Sequence, residues 1–277
     1  MGLRINTNVT SLSAQRTLGG TNAKQQKSLE KLSSGTRIVR ASDDAAGLAI
    51  SEKLKSQIRS VKQAERNAGD GISMIQTAEG GLNEVSNILN RLRELSVQAA
   101  SDTVGNTERK FSSYEYDNLK DEINRISQVT EFNGMKLLVG EGSNYELQVG
   151  INSDSFNDRI EYDVSKTNST TAGLGIGEID ISSKQGAQAS LSSLDSAIEN
   201  ISGQRADLGA KQNRLTSTIQ NLQVSAENLS TANSRIRDTD FASEAAENTK
   251  MNILANAGAA VLAQSNAQGA AALKLIG

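Results

Sequence analysis

The 277-residue chain contains no histidine, cysteine, tryptophan or proline, and only 3% of it is aromatic. Without cysteine there is no thiolate nucleophile, no disulfide and no thiolate metal site. Without histidine the commonest base and metal ligand near neutral pH is missing. Carboxylates, lysines and tyrosines remain, but no converging titratable cluster stands out, so no catalytic, cofactor-binding or metal site is expected. The net charge of −3 is spread with both signs interspersed, which offers nucleic acid no basic stripe. Runs of apolar residues long enough to cross a membrane are absent. The opening Met1-Gly-Leu-Arg-Ile-Asn lacks the charged region and apolar run of a cleavable secretion signal, so none is expected. Hydrophobic residues reach only 36%, which is thin for a compact core of this length. Helices that share narrow seams need less apolar material.

Such seams are present. Leu191, Leu194, Ile198, Ile201, Arg205, Leu208, Gln212, Leu215, Ile219, Leu222, Ala226, Leu229, Asn233 and Ile236 recur at alternating steps of 3 and 4. A period of about 3.5 residues keeps one narrow stripe of a helix facing a partner helix. A second stripe runs from Leu54 through Ile58, Val61, Ala68, Ile75, Leu82, Leu89 and Leu92 to Leu95. Two long stripes in one chain most simply bury each other. The expected fold is mainly α, a long antiparallel helical rod resembling a coiled-coil bundle, with a small β-hairpin region. Arg205, Gln212 and Asn233 interrupt the later stripe, and polar seam residues commonly fix helix register at a cost in stability.

Along the chain, residues 1–34 read as a weak helix in which Ile5, Val9 and Leu12 share a face. Arg16 and Gly19-Gly20 are expected to interrupt it, the glycines at a cost of about 2 kcal/mol relative to alanine. Gly35 suits the left-handed position that ends a helix. Ser42 is the expected N-cap of a helix from about Asp44 to Ala100, with Asp43 and Asp44 placing negative charge at its positive end. Gly69, Gly71, Gly80 and Gly81 within it suggest close approach of a neighbouring backbone. A turn at Ser101–Thr107 leads to a return helix carrying Tyr116, Leu119, Ile123 and Ile126. Phe132-Asn-Gly signals a tight turn, and segments from Tyr145 and from Arg159 alternate like strands. Ser165 to Gly177, rich in Ser, Thr, Asn and Gly, reads as an exposed loop. Asp240 is the expected cap of a last, alanine-rich helix with Met251, Leu254, Val261 and Leu275 on one stripe. Both ends of the chain read as segments that become ordered only when buried against a partner.

Several motifs together resemble bacterial flagellins. They are Leu29-Glu-Lys-Leu-Ser-Ser-Gly-Thr-Arg-Ile, Ala41-Ser-Asp-Asp-Ala-Ala-Gly-Leu-Ala-Ile, Asn90-Arg-Leu-Arg-Glu-Leu-Ser-Val-Gln-Ala, Glu131-Phe-Asn-Gly-Met-Lys-Leu-Leu and Ser234-Arg-Ile-Arg-Asp-Thr-Asp-Phe-Ala. The resemblance spans nearly the whole chain. It implies terminal helices that form the inner core of a filament, so that residues 1–41 are an inner-core helix and connector. Residues 42–185 are then a rod domain with the β-hairpin region, 186–236 the C-terminal rod helix, and 237–277 a second inner-core helix. It further implies self-assembly into the flagellar filament for swimming motility, export through the flagellar type III apparatus to the cell exterior, and dealings with a cap, junction proteins and an export chaperone. The variable outer domain of many flagellins is absent here, and the tail from Ala267 departs from the usual ending. In many flagellins an arginine and a leucine on the long helix, with a glutamate on the return helix, meet Toll-like receptor 5. Arg91, Leu95 and Glu115 occupy the matching positions. The plainer reading makes Leu95 a seam residue and Arg91 with Glu115 a solvated pair. Two other functions compete: a hook-filament junction protein, and a coiled-coil signalling or adaptor rod.

Overall fold

The computed structural model describes residues 7–142 and 144–274, with side chains described as far as residue 267. Ile5 and Leu275 therefore lie outside the described residues. Five helices carry the chain: α1 (Val9–Ser34), α2 (Ala45–Ala100), α3 (Asn106–Val129), α4 (Lys184–Arg237) and α5 (Phe241–Lys274). Between α3 and α4 stand two antiparallel pairs, β1 (Glu131–Phe132) with β2 (Met135–Lys136) and β3 (Tyr145–Gln148) with β4 (Arg159–Tyr162), followed by a 3-10 turn at Val164–Thr167. The chain divides into two compact units, one comprising Met1–Ile58 with Asn228–Gly277 and the other Arg59–Glu227.

In the Arg59–Glu227 unit, α2 and α4 run in opposite senses. Arg93 pairs with Asp195, Glu79 with Arg205, and Glu65 accepts from Gln223, so the α4 partner advances as the α2 partner recedes. The α2 stripe is closed from Val61 onward, with Ala68, Ile75, Leu82, Val85, Leu89 and Leu92 buried. Leu194, Ile201, Leu208 and Leu215, seven residues apart, are fully buried on α4, and the seam positions between them, Ile198, Arg205 and Gln212, are half-buried. Tyr116 and Ile123 bring α3 onto the same core. The α2 C-terminus is closed by a residue of the next helix. Arg109, only 6% exposed, donates to the carbonyls of Ala99 (2.7 Å) and Ser101 (2.8 Å) and to Asn106 Oδ1 (2.9 Å). Two donors of one guanidinium thus satisfy carbonyls at the end of α2 that would otherwise be left unpaired, and a third holds Asn106 at the start of α3. Asn133 (φ 51°) and Gly134 (φ 78°) both take left-handed backbone, the turn that an Asn-Gly pair favours between antiparallel strands.

Several expectations are corrected. The Ser165–Gly177 segment is not an exposed loop: Thr167, Ser169, Thr171, Leu174 and Ile176 are buried. Its polar groups are paired inward. Thr167 Oγ1 and Tyr162 OH both donate to Leu137 O (2.9 Å each), and Asn124 Oδ1 accepts from the Thr171 amide (3.0 Å) and hydroxyl (2.9 Å). Hydroxyl and amide side chains here replace the backbone ladder that a strand would supply. The α2 cap is Asp44 rather than Ser42, because its Oδ1 accepts from the Gly47 amide at 2.8 Å. Gly19 and Gly20 do not interrupt α1. The α2 glycines meet side chains rather than backbone: a Cβ at Gly71 would crowd Leu147 and one at Gly81 would crowd Leu138 and Thr130, while Gly69 and Gly80 face open space.

Candidate assembly and recognition surfaces

The unit containing the chain ends is built on an antiparallel pair, α1 against α5. Asn8 caps α1 by accepting from the Ser11 amide, and its Nδ2 reaches Ser265 O on α5 at 2.9 Å. Thr10 and Ser265 share a hydrogen bond of 2.8 Å, Ser11 donates to Asn266 Oδ1 at 2.7 Å, and near the other end Ser28 donates to Glu244 O at 3.3 Å. The side chains turned inward are small or polar: Ala14, Thr21, Gln25 and Ser28 on α1, Ala255, Gly258 and Ser265 on α5, with Leu18 and Met251 among them. Apart from Leu18, Met251 and Leu262, most of the large apolar side chains point away from the pair. Val9 (59%), Leu12, Leu29, Phe241 (67%), Ile253, Leu254 and Val261 (58%) are exposed. The stripe expected to join Met251 with Leu254 and Val261 is thus split, because the inner face runs through Met251, Ala255, Gly258, Leu262 and Ser265 instead. A helical pair that faces polar groups inward and aliphatic groups outward is arranged for further burial.

The connectors beside this pair are locked to one another. Gly35 takes φ 69° and its amide closes on Lys31 O, while Thr36 and Asp238 form a single antiparallel bridge. The Arg37 amide donates to Arg237 O and its guanidinium to Ile236 O, both at 2.6 Å, which satisfies the C-terminal carbonyls of α4. Asp43 accepts from the amides of Val39 (3.2 Å) and Arg40 (3.1 Å) and pairs with Lys27 at 2.6 Å. The Lys27 ammonium and these amides hold its carboxyl down at about 2. Asp240 caps α5 through the amides of Ala242 and Ser243.

A second surface lies in the other unit. Arg91 donates through Nε (2.9 Å) and Nη2 (2.8 Å) to Glu115 Oε1 and through Nη1 to Glu94. Arg91 and Glu115 are about half exposed, whereas Leu95 is 2% exposed within the core stripe. Of the seam residues, Leu194, Ile201, Leu208 and Leu215 are buried, and Leu191, Ile198, Ile219, Leu222, Leu229 and Ile236 half-buried. Among the described residues there is no cluster of acidic side chains arranged to hold a metal ion, and no helix is long and apolar enough to cross a membrane. Sequence reasoning missed the exposed aromatics Phe111, Tyr114 and Phe156 and the capping role of Arg109. An aromatic pair three residues apart and off the Tyr116–Ile123 face was the available signal for the first two.

Two family profiles match the chain: the bacterial flagellin N-terminal helical region over residues 5–143 and the bacterial flagellin C-terminal helical region over residues 191–276. A flagellin of Halalkalibacterium halodurans is 46% identical over 272 residues, covering 98% of this chain and 99% of that protein. The flagellar filament 33 kDa core protein of Treponema phagedenis is 43% identical, covering 98% and 99%. The flagellin of Bacillus subtilis is 43% identical, covering 99% and 100%. Among solved structures, Bacillus cereus flagellin is similar with a TM-score of 0.50 and 32% identity, covering 61% of this chain and 94% of that one. A hook-associated protein of Vibrio parahaemolyticus shares the fold, with a TM-score of 0.58 at 13% identity.

Proposed function

The chain belongs to the bacterial flagellin family, and from that premise we propose that it polymerises by burying the outer faces of α1 and α5 against neighbouring copies. It is a structural subunit of the flagellar filament, and the family assignment does not favour the hook-filament junction or adaptor readings. The observation that carries the assembly reading is the inverted pattern of the terminal pair, small and polar groups inward with Val9, Leu12, Ile253, Leu254 and Val261 outward. A monomer gains nothing from that pattern, whereas a polymer removes these side chains from water at about 25 cal/mol per Å² of apolar surface.

On this reading residues 1–41 and 237–277 are the assembling ends, and 42–185 with 186–236 form the body of the subunit. The protein acts mechanically, without a catalytic step, outside the cell after export through the flagellar type III apparatus. Its further partners are the cap, the junction proteins and an export chaperone. Deleting residues 1–34 or 242–277 tests the reading. The truncated chain should keep the helical circular dichroism of the remaining body and stay in the supernatant on sedimentation. Normal filaments from either truncated chain would overturn it.

A second reading concerns Toll-like receptor 5, favoured by the exposure of the Arg91–Glu115 pair. Arg91 and Glu115 would meet the receptor directly, and buried Leu95 would act by holding the Arg91 turn of α2 in place. Charge reversal at both residues keeps their mutual attraction but loses the Arg91–Glu94 pair. It should abolish receptor binding while lowering the melting temperature only slightly, on the small scale of an exposed pair on one helix. Unaltered binding would exclude this surface.

A further inference from the structure

Phe156 is the most exposed large apolar side chain among the described residues, at 80%. It stands at the tip of the β3–β4 connection, and that connection is stiff. The Asp158 carbonyl accepts from the amides of Val149 (2.8 Å) and Gly150 (3.0 Å), and Asp158 Oδ2 accepts from the Asp154 amide (3.1 Å). Asp154 Oδ1 in turn accepts from the Phe156 amide at 3.0 Å, and the Gln148 amide group donates to the carbonyls of Gly150 (3.0 Å) and Asn152 (2.8 Å). A side chain at Gly150 would collide with the Asp158 carboxylate. The loop thus presents an aromatic ring to solvent on a fixed support. A pre-organised aromatic loses little freedom on binding and is a favoured anchor. Residues 150–158 carry two carboxylates and no cation.

A complementary groove lies elsewhere on the same unit, between α2 and α4. It is lined by Lys62, Glu65, Arg66, Gly69 and Ile219 and encloses about 460 Å³. Gly69 gives it depth, since a Cβ there would meet nothing within 4 Å. Its rim sets two cations, Lys62 and Arg66, against one carboxylate, Glu65. Lys62 forms no ion pair among the described residues, the Arg66 guanidinium donates only to Gln63, and the Glu65 carboxylate is taken by Gln223. The other open grooves of this unit suit the loop less well. The groove beside Gly80 is edged by Glu84 and Glu131, the one beneath Tyr114 by Asp117, Glu178 and Asp180, and the one at Asn168 has mostly polar walls.

The loop cannot fill the groove of its own chain. Asn67 donates to Gln148 O and Gly71 lies under Leu147, which marks the side of α2 that β3 occupies. Gly69, two residues from each, faces about 200° away. We propose that Phe156 of one copy seats in the Gly69 notch of a second copy, with Asp154 beside Lys62 and Arg66. The inference rests on the filament-subunit reading and names one of its contacts. Plug and socket occupy different faces, so the contact is heterologous and propagates from copy to copy instead of closing into a dimer.

Because the natural chain has no cysteine, cross-linking tests this without background. The full-length chain carrying S155C and D70C, exposed positions beside the ring and beside the notch that leave both intact, should be assembled into filaments and treated with a mild oxidant, and should then give a ladder of trimers and larger species on a non-reducing gel. Each single variant should give no ladder. Regular filaments of the double variant with no ladder would overturn the contact and leave the filament reading standing. Gly69→Leu supplies an independent readout: it fills the notch with a better helix former, so the monomer's melting temperature should hold or rise while seeded polymerisation slows at least tenfold. Unchanged polymerisation of that variant would overturn the proposal. Failure of the unmodified chain to form filaments at all would remove the filament reading, and this contact with it.

Discussion

The Ser51 hydroxyl, wholly buried on α2, donates to Asn233 Oδ1 on α4 at 2.8 Å. Asn233 is one of the three polar residues that interrupt an otherwise apolar seam. Its amide therefore meets a partner that only one helix register can supply, which is how a single polar seam residue specifies pairing. Replacing Asn233 by alanine leaves a buried hydroxyl to find a weaker acceptor and should destabilise the chain by about 1–3 kcal/mol. The double variant with Ser51→Ala should lose less than the sum of the two single changes. Chemical denaturation of the four proteins measures the coupling, and strict additivity would show that the bond contributes nothing.

The seam also grades the cost of truncation. Leu215 is fully buried while Ile219, one step further along α4, is half-buried. Leu215→Ala should cost about 2–5 kcal/mol, Ile219→Ala clearly less, and the exposed Ser217→Ala no more than about 0.5 kcal/mol. Thermal melts of the three variants decide the order.

This seam was legible because its period is carried by apolar residues over many turns, and the Asn133-Gly134 turn because two adjacent residues need left-handed backbone. The α1/α5 pairing was legible only as two weak ends. Its inner face sets only Leu18, Met251 and Leu262 among Ser11, Thr21, Ser28 and Ser265, so most of the hydrophobic pattern points at the other side of each helix. The packing of Ser165–Gly177 was hidden for a related reason. Thr167, Ser169 and Thr171 are buried by hydrogen bonds to backbone and to Asn124, and polar composition alone cannot distinguish such a segment from a solvated one. The plug at Phe156 and its socket at Gly69 each depend on which side of α2 the β3 strand covers, a fact of tertiary structure.

Tyr116 presents the opposite case to Ser51. Its ring is fully buried and its hydroxyl has no hydrogen-bond partner among the described residues, while neighbouring Ser96 gives its own proton to Leu92 O. Burial pushes the Tyr116 phenol up to about 12, against a lowering from Ser96. Tyr116→Phe should therefore be neutral or stabilising, by up to about 1 kcal/mol, as judged by the denaturation midpoint.

Burial also raises the Tyr162 phenol to about 12. A group whose pKa is higher folded than unfolded gives stability that is complete below the unfolded value and is lost as pH rises toward the folded one. Stability should accordingly hold to about pH 10, the ordinary tyrosine value, and fall between 10 and 12. The Tyr116→Phe/Tyr162→Phe protein should show a shallower fall over that range, and an unchanged alkaline profile would assign the loss to other groups.

At acid pH one sensitive group is Asp43. Its carboxyl is held at about 2 by Lys27 first and by the amides of Arg40 and Val39, so its contribution is present above about 4 and lost as pH falls toward 2. Hydrogen exchange at the Val39 and Arg40 amides should accelerate over that window. In Asp43→Asn the ion pair is gone at every pH, so the acid-dependent step should disappear.

The last polar seam residue separates register from mere tolerance. Arg205 reaches Glu79 across the helix pair at 3.8 Å and Asn233 reaches Ser51, but the half-buried Gln212 amide has no hydrogen-bond partner among the described residues. Register is then already specified on both sides of Gln212, and its side chain gains little by staying polar between Leu208 and Leu215. Gln212→Leu should raise the melting temperature, by an amount consistent with about 1 kcal/mol from added apolar burial, and should leave filaments regular under electron microscopy. Slipped or irregular filaments would give Gln212 the register role that the sequence pattern suggested. A lowered melting temperature would show that water held by this amide contributes more than the apolar gain.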